Sequence, residues 1–330
     1  MMFREMTRRA FLARLAGGVA LTAFAPYAMR MAFAQNATTP DLAPATVPAV
    51  QPDPENVLRK TIPSTGGNIP AIGLGSWITF NVGNDTALRD ECAAVMAAFL
   101  DEGGIMIDSS PMYGSAQDVI GYGLARLGLP KSVFSADKVW ISGGDNGPGQ
   151  ISDSLKKWGV AQFDLLQVHN LLSWQDHLPI LQRMKADGQL RYVGITTSHG
   201  RRSDDLADIM RREPLDFIQI TYNPQDRMAE QQLLPLAQDR GIAVIINRPF
   251  QGGRLTEYLA GKPVPDFAAD IGAQSWAQLI LKFIISHPAV TCAIPATTRV
   301  NHVRENVRAA HGPMPDAALR ARIAKAVAEA

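Results

Sequence analysis

The sequence predicts an α/β fold of one kind, a (β/α)8 TIM barrel, and three observations point to it. Short apolar runs of strand length alternate with amphipathic stretches of helical spacing along most of the 330 residues. Several of those runs end in a polar or ionisable side chain, as barrel strands do where they meet the catalytic face. No GxGxxG follows the first run, which argues against the runner-up, an open Rossmann-like sheet. GGDNGPG at residues 143–149 comes after the third run without that spacing and reads as a flexible loop.

Length and composition agree. Barrels of this size form as one domain, so two domains are not required. With 46% hydrophobic and 19% charged residues and a formal charge of +1, the chain has no broad basic footprint, and nucleic acid is not an expected partner. Cys92 and Cys292 make no CxxC pair. Both read as small buried apolar residues, with a disulfide left open because the chain carries an export signal.

That signal occupies residues 1–34. TRRAFL at 7–12 is followed by an apolar, Ala- and Gly-rich run at 15–25 and by Ala32, Phe33 and Ala34, a small-x-small cleavage site. The arginine pair resembles the bacterial twin-arginine signal, which implies the export machinery as a partner and the periplasm as the location. A membrane anchor is the alternative, but the apolar run is shorter than the roughly 18 residues a span needs, so no stable membrane span is expected. Residues 35–56, rich in Pro, Ala and Thr, read as a flexible tether, leaving 57–330 for the barrel and a C-terminal helix.

In chain order the expected strands are 72–77, 105–110, 133–140, 163–169, 190–197, 217–222, 243–247 and 291–295. Strand 105–110 is apolar without alternation, as expected when helices cover one face and the barrel interior the other. The expected helices are 86–100, 117–127, 150–158, 174–185, 203–212, 228–240, 275–286, 302–309 and 316–328. Helix 203–212 is expected to be capped by Ser203, and helix 228–240 to end at Gly241.

A barrel demands that reactive residues gather at the C-terminal ends of neighbouring strands. Asp108 ends the second expected strand, Tyr113 follows in its loop, Lys138 lies in the third and His169 ends the fourth. Each alone has a bland reading: a strand cap, a surface phenol, a snorkelling lysine, a satisfied core histidine. Together they place an acid, a phenol, an ammonium and an imidazole in one small volume. A phenol with a pKa of about 10 is a poor acid near neutrality, and a nearby ammonium stabilises its phenolate and is expected to bring that pKa down. The six histidines show no metal-ligand spacing, so no metal is expected.

From about residue 60 to 310 the chain resembles the aldo/keto reductase superfamily. One motif is the run Asp108, Ser109, Ser110, Pro111, Met112, Tyr113 and Gly114. The others are GLGSW (73–77), DKV (137–139), QVHN (167–170), VGITTS (193–198), QITYN (219–223) and IPATTRVNHVREN (294–306). The resemblance implies reduction of an aldehyde or ketone, a small-molecule carbonyl substrate, with NADP as cofactor and NAD possible. It implies Asp108, Tyr113, Lys138 and His169 as the catalytic set, with Tyr113 the proton donor. For the cofactor it implies Ser76 and Trp77, then Thr196, Thr197 and Gln219 around the nicotinamide amide. Asn247, Arg248, Pro249, Phe250, Gly253 and Arg254 follow, with the two arginines offering charge to the pyrophosphate. Thr297, Arg299, His302 and Asn306 complete the set.

The chain departs from the family pattern at three positions. Asn247 stands where relatives place a stacking tyrosine, which leaves Phe250 or Trp77 to stack on the ring. Ala296 and His302 stand where relatives place a Lys and an Arg for the 2′-phosphate, with Arg299 and Arg304 as substitutes. These departures favour the alternative of a non-catalytic nucleotide- or ligand-binding barrel; the intact catalytic types argue against it. A metal-dependent barrel hydrolase would need a cluster of ligands that His169 alone does not make. Trp77, Met112, Trp140 and Trp174 are expected to form a rather apolar substrate wall.

Overall fold

The structure, a computed structural model, describes residues 56–130 and 132–330. The expected export signal (1–34) and, except for Asn56, the expected tether (35–56) lie outside the described residues. An antiparallel hairpin comes first, β1 (Arg59–Thr61) with β2 (Asn68–Pro70). The parallel strands follow as β3 (Leu74–Gly75), β4 (Met106–Asp108), β5 (Phe134–Val139), β6 (Leu165–Val168), β7 (Tyr192–Thr196), β8 (Phe217–Thr221), β9 (Ala243–Asn247) and β10 (Cys292–Ala293). Each of these eight pairs with the next in the chain. The first and last strands then close the ring: Ala293 N–H donates to Ala71 at 2.9 Å, Gly73 N–H to Ala293 at 2.8 Å and Gly75 N–H to Pro295 at 3.1 Å. The fold is the expected α/β (β/α)8 barrel.

Ten helices surround it among the described residues: α1 (Thr86–Asp101), α2 (Ala116–Arg126), α3 (Gly147–Trp158), α4 (Trp174–Ala186), α5 (Ser203–Arg212), α6 (Leu233–Arg240), α7 (Arg254–Tyr258), α8 (Trp276–Ile285), α9 (Val300–Arg308) and α10 (Ala317–Glu329). None of them is long and apolar enough to cross a membrane.

The strands sort their side chains with period two. Met106, Phe134, Ala136, Leu165, Tyr192, Phe217, Ala243, Ile245, Cys292 and Ile294 form a cluster inside the barrel, sealed from below by Ile62 and Ile69 of the hairpin. Their strand neighbours Ile107, Val139, Leu166, Val168, Ile218 and Ile246 belong to the larger core against the helices. Counting by twos from the inner cluster reaches Asp108, Lys138, Gln167 and Gln219. These four therefore face inward one layer above the apolar one.

One element is added and three local expectations are corrected. The hairpin has no signal in the sequence, since its strands are only three residues long and one face is exposed. Helix 228–240 is split into a 3-10 turn, Met228–Glu230, and α6, because Pro235 has no N–H for the preceding turn and its ring would meet a carbonyl there. Gly241 does end α6, with φ +64. Ser203 does not cap α5; its hydroxyl donates to the Gly200 carbonyl at 2.8 Å and Arg202 holds the cap position. Residues 143–149 are ordered as a 3-10 turn running into α3 rather than as an open loop.

Close packing of α2 on α3 depends on one absent side chain. A Cβ at Gly121 would lie 1.9 Å from the Lys157 carbonyl oxygen. Gly121→Ala is expected to cost about 2 kcal/mol through forced separation of the two helices, read as a lower unfolding midpoint in calorimetry. An unchanged midpoint would show that α2 shifts freely.

Candidate active site

The inner polar layer centres on a buried ion pair. Lys138 Nζ lies 2.5 Å from Asp108 Oδ1, with the two side chains 0% and 2% exposed, and donates to the Ser109 carbonyl at 2.8 Å. The other carboxylate oxygen of Asp108 accepts from Gln219 Nε2 at 2.9 Å and Gln167 Nε2 at 3.5 Å. Burial, the largest influence, pulls the Lys138 ammonium down, but the negative groups around it, Asp108 foremost, together outweigh burial and hold the lysine above its ordinary value. The lysine is therefore a fixed positive charge in the floor of the site.

Tyr113 sits over that charge. Its ring centroid is 5.2 Å from Lys138 Nζ and 5.6 Å from the His169 ring, which meets it edge-on at 87°. Burial pushes the phenol up, and Lys138 opposes this without cancelling it. The expectation that the lysine brings the phenol below its ordinary value is corrected, because desolvation of the phenolate is the larger effect. The phenol keeps its proton, as a donor must, and the ammonium is placed to stabilise the anion left after transfer.

His169 is held neutral: burial first, and then the Lys138 charge, push it down to about 3. Its Nδ1 lies 2.8 Å from Ser110 Oγ. Asp137, adjacent to the lysine, faces the helices instead. It accepts from Gln117 Nε2 of α2 and from the Lys138 N–H, both at 2.7 Å, and burial pushes its carboxyl up to about 7 despite those bonds. The sequence reading gives no role to Ser110, Gln117, Asp137 or Gln167. A buried polar residue within an apolar strand or opening a helix is the signal that could have found them.

The residues expected around a nucleotide are spread over several strand ends and the rim. Ser76 braces the ion pair rather than opening to a ligand, its Oγ 2.8 Å from the Asp108 carbonyl oxygen and 2.9 Å from Ser109 Oγ. Thr196 and Thr197 at the end of β7 lie beside Gln219 in the middle of β8, Thr196 Oγ1 accepting from Asn170 N–H at 3.2 Å. Asn247 ties the next strands by accepting from Thr221 Oγ1 at 2.7 Å and donating to the Thr197 carbonyl at 3.0 Å. The two candidate stackers are engaged as well: the Arg248 guanidinium lies 5.2 Å over the Trp77 ring, and Phe250 is half-buried against the core.

Beyond β9 the rim is positively charged. Burial and Arg254 pull the Arg248 guanidinium down, and burial, then Arg248, Arg201 and Arg254, do the same to His199. Pro249 is buried and Gly253, at φ +95, opens α7 with Arg254 as its first residue. Crowded like charges of this kind fit an anionic pyrophosphate, which would relieve them. Around α9, Thr297 Oγ1 accepts from Arg299 N–H at 3.1 Å, Asn306 is buried and His302 is exposed. Arg304 also has a partner within the protein. Its Nε lies 3.5 Å from the buried Glu102 at the end of α1, which Arg308 also approaches at 3.7 Å.

The four residues expected to wall the substrate pocket follow the ends of their strands. Trp77, Met112 and Trp140 are exposed large apolar residues directly after β3, β4 and β5, and Trp174 opens α4 beyond β6. Cys92 and Cys292 are both free and buried.

Similarity to known proteins follows the same boundaries. A methylglyoxal reductase of Escherichia coli, YeaE, is 28% identical over 246 residues, which cover 72% of this chain and 84% of that protein. L-galactose dehydrogenase of Arabidopsis thaliana is 25% identical over 292 residues, covering 76% and 87%. Among solved structures, an aldo/keto reductase from Klebsiella pneumoniae in complex with NADP and acetate superimposes with a TM-score of 0.69 at 25% identity, over 82% of this chain and 96% of its own. The aldo/keto reductase family profile matches residues 71–325, from the strand that closes the barrel to the helix that ends it. The chain accordingly belongs to the aldo/keto reductase family and is an NAD(P)-dependent oxidoreductase.

Proposed function

We propose that this enzyme reduces an aldehyde or ketone to the alcohol with Tyr113 as the proton donor. The observation that carries the reading is the stack of Asp108, Lys138 and Tyr113, with Lys138 Nζ 2.5 Å from the carboxylate and 5.2 Å from the phenol ring. The reduced nicotinamide supplies hydride when bound. Tyr113 gives its proton to the carbonyl oxygen, Lys138 stabilises the phenolate that remains, and Asp108 keeps the lysine charged and aimed. Neutral His169 donates a hydrogen bond to the same oxygen and sets its angle. Arg248 and Arg254 would hold the pyrophosphate, with Thr196 and Thr197 at the amide, and Arg299 is the substitute for the 2′-phosphate contact. NADPH is the preferred reductant, and NADH a possible one.

The apolar rim formed by Trp77, Met112 and Trp140 supports substrates that carry an uncharged apolar group beside the carbonyl. The TRRAFL segment supports export of the folded enzyme to the periplasm through the twin-arginine machinery. The full chain, expressed in a bacterial host and recovered from the periplasmic fraction, is expected to oxidise NADPH with aldehydes or ketones in a broad panel. Absence of NADPH consumption with every carbonyl would overturn the catalytic reading, and recovery only from the cytoplasm would overturn export.

A further inference from the structure

Ser110 carries a fully buried hydroxyl in direct contact with His169. It is 0% exposed, and its Oγ has two partners: the Met112 N–H, which donates to it at 3.2 Å, and His169 Nδ1 at 2.8 Å. A backbone N–H can only donate, so the hydroxyl oxygen is the acceptor in that bond and its proton needs an acceptor of its own. Among the described residues His169 Nδ1 is the acceptor within reach. With the proton of His169 on Nδ1, the hydroxyl oxygen would accept from it through its second lone pair, but the buried hydroxyl proton would have no acceptor, at a cost of about 1–3 kcal/mol. With the proton on Nε2, both groups are satisfied.

The Met112 bond makes this more than a local accounting. Met112 is the middle residue of the 3-10 turn Pro111–Tyr113, and Ser110 is that turn's N-cap. One hydroxyl therefore caps the turn that presents Tyr113 and also receives Nδ1 of the ring lying edge-on to Tyr113.

We propose that Ser110 is a positioning residue for carbonyl reduction, fixing His169 as its Nε2–H tautomer and coupling that choice to the placement of Tyr113. The proposal rests on the reading of Tyr113 and His169 as the two groups that meet the carbonyl oxygen. Only the Nε2–H tautomer offers a donor from the nitrogen away from Ser110; the other tautomer would present a lone pair to an oxygen that needs a proton. In this arrangement Ser110 touches neither substrate nor cofactor and acts through the imidazole and the turn.

The test uses the full chain with 15N-labelled histidine, six imidazoles in all, read in long-range 1H–15N spectra, with His169→Gln identifying the signals of residue 169. The parent is expected to show a pyridine-like Nδ1 and a protonated Nε2 at His169. Ser110→Ala is expected to shift His169 towards the Nδ1–H form and to lower kcat about tenfold at an NADPH affinity within about twofold of the parent. Ser110→Thr, which keeps the hydroxyl, is expected to restore the tautomer and most of kcat. An Nδ1–H parent would overturn the proposal, and so would Ser110→Ala with parental kcat. If the alanine variant does not fold, the parent spectrum still decides the tautomer. The spectrum needs no turnover, so an inactive parent would sink the catalytic reading separately.

Discussion

Tyr113→Phe is expected to lower kcat for carbonyl reduction by roughly a thousandfold while NADPH affinity stays within about twofold of the parent. The substitution removes one oxygen and leaves the ring, so its edge-on contact with His169 and its position over the Lys138 ammonium persist. What disappears is the only proton in the stack that burial keeps in place at neutral pH while an adjacent cation waits to stabilise its loss. Steady-state kinetics with the best carbonyl of the panel, together with a fluorescence titration of NADPH, measure the two quantities separately. A variant retaining more than about a tenth of kcat would move the proton donor elsewhere, His169 being the next candidate.

Lys138→Met has the second large effect, and it acts on stability as well as rate. The side chain is of similar length and apolar, so packing is nearly conserved. The Asp108 carboxylate, however, loses the ammonium at 2.5 Å and keeps only the two glutamine amides. Stranding a buried charge in this way is expected to cost about 3–5 kcal/mol. Removing the charge as well, in Lys138→Met with Asp108→Asn, is expected to recover much of that loss without recovering activity. Chemical denaturation of the two single variants and the double variant gives the coupling directly. If the double variant is no more stable than Lys138→Met alone, the pair is not the electrostatic unit described above.

Sequence patterns are informative where a polar residue interrupts an apolar run. Asp108, Lys138 and His169 stand out in that way, and the barrel brings them into one volume because they lie at or just beyond the C-terminal ends of three consecutive parallel strands. Tyr113 can be found only because it lies five residues beyond such an interruption. The in-and-out alternation of the strands is invisible, since helices cover the outer face and both sets of positions are apolar; nothing in MID or FSADKV says which residues look inward. The ion pair of Arg304 is hidden for a different reason. Its partner Glu102 is some two hundred positions away in the chain, and only the packing of α1 against α9 brings them together. Ser110 and Gln167 escape notice because serine and glutamine are ordinary in loops and strand ends, and their importance lies in who their hydrogen-bond partners are.

The stacking of an oily layer below an ionic one inside the barrel has a consequence for how this protein can change. Met106, Phe134, Tyr192 and Phe217 fill the lower half and supply its apolar burial, whereas Asp108, Lys138, Gln167 and Gln219 fill the upper half with charged and amide groups. Robustness and reactivity are thus stored in different storeys of the same strands, two residues apart. Repacking the lower storey can raise or lower the melting point without retuning the upper one, and the upper one can be rebuilt for a different carbonyl on a foundation that does not notice.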